Sequence, residues 1–142
     1  MAEAGLVPRL AIGPVAGAAV FFLLAGGRIP RVRPGMVGRA AVVRWLALGV
    51  EAVLEEVVWR GLVLGGLVVA IGPPGALALS SAGFAVWHRA VGRRCAIHLV
   101  TGAVFGAAFL AGGLAAAILA HCVYNTLVDW AVHGERAAAR DS

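Results

Sequence analysis

Glu55 and Glu56 stand side by side in an apolar stretch, with Arg60 four residues beyond Glu56 and Glu51 four residues before Glu55. On insertion scales each charge at the centre of a membrane helix costs about 2.5–3.5 kcal/mol, so four facing lipid unpaired would cost on the order of 10 kcal/mol. They must face a bundle interior, pair with one another, or line a wet cavity. On a helix, residues four apart share a face, so Glu56 and Arg60 can form an ion pair. Glu55 lies about 100° around the helix from Glu56 and is left free unless Arg60 bridges both. A carboxylate in a dry cavity suits general-base work on a bound water. For Glu56 and Arg60, plain helix-to-helix ion pairing accounts for the charges equally well. Glu51, one turn below Glu55, stays open between a partly solvated position and a place in the site.

Three more polar side chains interrupt apolar sequence: His88 at the end of Phe84-Ala-Val-Trp-His88, and His121 and Asn125 in His121-Cys-Val-Tyr-Asn125. His121 and Asn125 again share a helix face. Imidazole and amide groups beside a carboxylate are the groups that acyl hydrolysis needs, a polarised water and donors where negative charge develops. The same residues leave other chemistry open. Glu55, His88 and His121 match a His₂Glu zinc set with an open fourth position, although no His-Glu-x-x-His occurs. His88 and His121 on separate helices match two axial haem ligands, a reading that leaves Glu55, Glu56 and Arg60 without a role. His98 and His133 lie at segment ends and are assigned to the membrane interface. Cys95 and Cys122 have no CxxC spacing and read as reduced, packed thiols.

The elements that hold these residues are membrane helices. Of 142 residues, 61% are hydrophobic and 13% charged, against roughly half and a quarter in soluble domains. A spanning helix needs about 20 apolar residues. Apolar segments run over 10–27, about 40–71, 76–90, 95–111 and 114–132. This predicts an all-α polytopic transmembrane helix bundle with about five spanning helices. The first segment is long for a signal peptide and reads as a retained helix. The second is about 45 Å long as one helix, so it must tilt, protrude or break, with Gly61 and Gly65-Gly66 as weak points. Gly72-Pro73-Pro74-Gly75 and Gly112-Gly113 read as turns. The net charge of +5 comes with arginine as the sole basic residue type, grouped between the apolar segments. With five spans the arginine-bearing loops at 28–39 and 89–94 and the C-terminal tail share one side, which the positive-inside rule makes cytoplasmic. No basic stripe suits a nucleic acid. Gly13-x-x-x-Gly17, Gly61-x-x-x-Gly65 and Gly102-x-x-x-Gly106 are spacings that allow close helix approach.

Glu55-Glu56-Val-Val-Trp-Arg60, Phe84-x-x-x-His88 and His121-x-x-x-Asn125, in that order on three apolar segments, resemble one known pattern. It is that of the CAAX protease and bacteriocin-processing family, intramembrane glutamate peptidases related to the Rce-type prenyl-protein endoproteases. The resemblance covers about Arg44 to Val132. It implies a peptidase domain over 37–133, preceded by an N-terminal helix and basic loop over 1–36 and followed by a polar tail over 134–142. It implies Glu55 as the base that activates water, His88 as the group that helps hold that water, Glu56 and Arg60 as organisers, and His121 and Asn125 as oxyanion donors. No cofactor is expected, with zinc as the alternative. The expected partners are membrane lipids and a peptide or lipidated protein tail entering from the bilayer or the cytoplasmic face. The chain is short for the family, and Glu51 lies outside its pattern, so an inactive immunity or scaffold protein of the same fold stays open.

Overall fold

The computed structural model describes residues 5–29, 38–89 and 91–140, with side chains described only up to residue 134 in the last stretch. Helix α1 is Leu6–Leu24, α2 is Arg39–Glu56, α3 is Gly65–Trp87, α4 is Arg93–Gly112 and α5 is Leu114–Arg140. Between α2 and α3 the helix widens into a π-helical segment, Val57–Leu64. There is no strand among the described residues. Lipid offers no hydrogen bonds to a backbone, so the apolar segments satisfy their peptide groups within helices.

The helical rod from Arg39 to Ile71 does not break at its glycines. Gly61 sits inside the π segment and Gly65 follows it. The chain reverses instead at Gly72, whose φ of 75° favours a residue without a Cβ. Pro73 and Pro74 follow at once in a second limb of α3, where the first turn of a helix has N–H groups to spare. That limb folds back along the π segment, with Ser80 Oγ donating to the Trp59 carbonyl at 3.1 Å and the Phe84 ring edge-on to Trp59 at 6.1 Å.

Among the described residues, four helical stretches are long and apolar enough to cross a membrane, one of them the 49-residue run Arg39–Trp87. Dividing that run at Gly72 gives five segments, and their directions agree with five crossings. A Cβ at Gly13 would meet the Ala116 carbonyl, and one at Gly17 the Ala120 carbonyl, so α1 and α5 run parallel. Arg44 meets Asp129 and Glu56 meets His121, so α2 runs antiparallel to α5. Gly102 packs on Ser81 and Gly106 on Leu77, so α4 runs antiparallel to the second limb of α3. Parallel first and last segments require an odd number of crossings. The core where α1, α4 and α5 meet is Val20, Phe105, Ala108 and Ala120.

Two of the three glycine spacings are therefore close interfaces. The third is not: nothing lies within 4 Å of a Cβ at Gly61. Helix α5 runs to Arg140, past the His133 at which its apolar pattern ends. The arginines Arg28, Arg39, Arg89, Arg93 and Arg94 gather at one end of the bundle, with the Gly72 and Gly113 turns at the other.

Candidate active site

The deepest part of the site is a buried ionic cluster. Glu56 is fully buried and Arg60 is 1% exposed. Arg60 Nε lies 3.1 Å from Glu56 Oε2, the i, i+4 pair expected from the sequence. The contact is electrostatic rather than a well-aligned hydrogen bond, and Arg60 Nη1 has no acceptor among the described residues. Arg60 Nη2 donates to the Gly102 carbonyl at 3.1 Å, and the guanidinium covers the Phe84 ring at 4.6 Å and faces Phe105 at 5.6 Å. One arginine thus ties the π segment to α4 and to the second limb of α3. The other oxygen of Glu56 lies 2.9 Å from His121 Nδ1 and reaches α5. The Ser80 bond to Trp59 supplies a donor to a π-segment carbonyl beside Arg60.

Glu55 points elsewhere, as its position around the helix requires. Its side chain is 30% exposed, and Oε1 lies 3.6 Å from His88 Nε2 while Oε2 lies 4.0 Å from His121 Nε2. Three helical elements therefore converge on one carboxylate. Both distances exceed a direct hydrogen bond. His88 Nδ1 lies 2.8 Å from the Phe84 carbonyl. A carbonyl only accepts, so Nδ1 of His88 donates, and in the neutral ring Nε2 turns a bare lone pair toward Glu55.

These groups border a cavity of about 220 Å³ lined by Glu51, Glu55, His88, His121 and Asn125, with Phe84, Phe105 and Tyr124 among its apolar walls. Asn125 is half-buried on the α5 face of His121, as its i, i+4 spacing predicts. Glu51, left open by the sequence, borders the same cavity. His98 differs from expectation. Assigned to the interface, it lines the cavity, its ring stacked on His88 at 4.2 Å and 18°. Gly92, at φ 59°, turns the chain so that the opening turns of α4 pack against the end of α3. His133 stays outside the cavity, donating Nδ1 to the Asp129 carbonyl at 2.9 Å. Cys95 and Cys122 are free and half-buried.

Among the described residues no group of three or more His, Cys, Asp or Glu side chains is disposed to hold a metal ion.

Asp129 lies outside the three sequence motifs. It accepts from Arg44 through two bonds of 3.2 Å and from Trp45 Nε1 at 3.0 Å, joining the start of α2 to α5. The signal was present: Asp129 continues the i, i+4 series of His121 and Asn125, and a carboxylate in an apolar segment needs a partner.

Neither the curated proteins nor the solved structures yield a match. A family model does: type II CAAX prenyl endopeptidase Rce1-like, over residues 38–127. The match begins just before α2, omits α1, and ends two residues beyond Asn125. It takes in the carboxylates, the arginine, the three cavity histidines and the asparagine of this site, all carried by a membrane helix bundle. The chain belongs to the Rce1-like type II CAAX prenyl endopeptidase family, a family of membrane proteases.

Proposed function

We propose that this protein is an intramembrane endopeptidase that hydrolyses a peptide bond in a peptide or lipidated, CAAX-type protein tail by means of a glutamate-activated water. The observation that carries the reading is the convergence of the Nε2 atoms of His88 and His121 on the Glu55 carboxylate beside a cavity. A water between Glu55 and His88 gives one proton to the carboxylate and directs the other at the bare Nε2 lone pair. The oxygen then attacks the scissile carbonyl, and Glu55 passes its proton to the leaving amine. The negative charge that develops on the carbonyl oxygen is met by the Asn125 amide and by His121. Nδ1 of His121 is committed to Glu56, so donation from Nε2 requires a doubly protonated ring, and the buried Glu56 carboxylate is the counter-ion such a ring needs. Arg60 holds Glu56 in place for that task.

The cavity lies toward the arginine-rich end of the bundle, near the close of α3 at His88, which favours substrate entry from the bilayer or from that end. By the positive-inside rule that end is cytoplasmic. The test is proteolysis by the purified protein in detergent on prenylated and unprenylated peptides, comparing wild type with Glu55→Ala and His88→Ala, with and without a zinc chelator. The expected result is cleavage by wild type alone, insensitive to the chelator. Variants that cleave as well as wild type would overturn the assignment, and loss on chelation would overturn the metal-free mechanism.

A further inference from the structure

Helix α4 carries none of the residues in the three sequence motifs, yet it supplies one wall of the cavity through His98, Thr101 and Phe105. The Thr101 hydroxyl is spent on its own helix, donating to the carbonyls of Ile97 and His98 at 3.0 and 3.3 Å. His98 is different. Its ring has no hydrogen-bond partner among the described residues and lies flat on the ring of His88, with 4.2 Å between centroids and 18° between planes. The edge of the Phe84 ring closes on it at 6.0 Å.

His88 needs such a neighbour. It sits at the C-terminal cap of α3, followed by Arg89 at φ 47°, a conformation uncommon for a residue with a Cβ. Its ring is held at one edge by the Nδ1 bond to the Phe84 carbonyl. That single bond fixes one atom and leaves the plane of the ring to be set by what touches its faces. The Phe84 ring touches it at 4.4 Å with a 55° tilt, and Glu55 meets it across 3.6 Å at Nε2. The group lying parallel to the ring is His98. Rotation of the imidazole about its χ2 bond out of this plane would break the Nδ1 bond to Phe84 and swing Nε2 away from Glu55.

We infer that His98 is a positioning residue for His88: the stack from α4 locks the ring in the orientation that presents its Nε2 lone pair to the water beside Glu55. This rests on the peptidase reading for its catalytic consequence, though not for its structural one. The stack is a property of a flat ring at position 98, not of its nitrogens. His98→Phe keeps it and His98→Ala removes it.

The experiment uses the full chain in detergent micelles with ¹⁵N-labelled histidine, His88 resonances being assigned by their loss in His88→Ala. In wild type the ring nitrogens of His88 are expected to report a single Nδ1–H tautomer. The same pattern is expected in His98→Phe, and averaging of the two tautomers in His98→Ala. On a cleaved peptide, His98→Ala is expected to lower kcat by about tenfold or more at little change in KM, since small misplacements of a catalytic group carry that order of penalty. His98→Phe is expected to keep kcat within about threefold on the same reasoning. An unchanged His88 tautomer pattern in His98→Ala overturns the inference, as does a His98→Phe variant as impaired as His98→Ala. If wild type cleaves no peptide, the peptidase reading fails, while the nitrogen spectra still decide whether His98 holds His88.

Discussion

Replacing Glu56 by Gln should separate the two neighbouring glutamates more sharply than any other single change. The side chain is fully buried, and its partner Arg60 is 1% exposed. Removing one member of such a pair leaves an uncompensated buried charge, a loss of about 3–5 kcal/mol. Some of this is offset, because the guanidinium keeps the Gly102 carbonyl and the Phe84 and Phe105 rings. A desolvated cation–π contact contributes on the order of 1–2 kcal/mol. The net expectation for Glu56→Gln is about 3 kcal/mol of destabilisation, with loss of cleavage because His121 loses its counter-ion. Glu55→Gln is expected to differ. Its side chain is 30% exposed, and its two histidine contacts lie at 3.6 and 4.0 Å, so it should cost under about 1 kcal/mol while abolishing cleavage. Unfolding in mixed micelles, followed by circular dichroism, measures both. Glu56→Leu combined with Arg60→Leu should recover at least half of the lost stability, since a buried pair replaced whole by apolar side chains is often neutral. Equal stability of Glu56→Gln and wild type, or equal destabilisation by the two glutamate variants, would refute this division of roles.

Asn125→Ala should fold normally and lower kcat by about 10²–10³-fold, the usual loss for one oxyanion donor, as read in the peptide-cleavage assay. Gly17→Ala drives a Cβ into the Ala120 carbonyl and should cost about 1–3 kcal/mol by overpacking. Gly61→Ala, with open space around its Cβ, should be neutral or stabilise by about 0.5–1 kcal/mol in the same unfolding measurement. Asp129→Asn weakens the two-bond link to Arg44, whose side chain is 38% exposed, and should cost about 1 kcal/mol, with greater salt insensitivity of the unfolding midpoint than in wild type.

What the sequence made legible follows from the solvent it is built for. In lipid every charge is expensive, so Glu55, Glu56, Arg60, His88, His121 and Asn125 could be picked out against an apolar background, and all of them lie in or beside one cluster. The turn at Gly72 was legible because two prolines and two glycines leave few alternatives. The π segment was not. Its hydrogen bonds differ from those of an α-helix by one residue of register, and nothing in Val57–Leu64 marks that shift. His98 was misplaced because a position near a helix start looks interfacial until the partner packed against that turn is known. Gly61 looked like a packing site by spacing alone, and spacing does not say which helix lies opposite. The end of α5 escaped notice because its apolar pattern stops before its backbone does.

A single turnover in ¹⁸O-labelled water, with enzyme in excess over peptide, tests the central claim most directly. If Glu55 activates a water rather than attacking the carbonyl itself, mass spectrometry will find the label in the new carboxylate of the product and none in Glu55, and Glu55→Gln will give no product. Label in the Glu55 side chain, or undiminished cleavage by Glu55→Gln, would contradict the account.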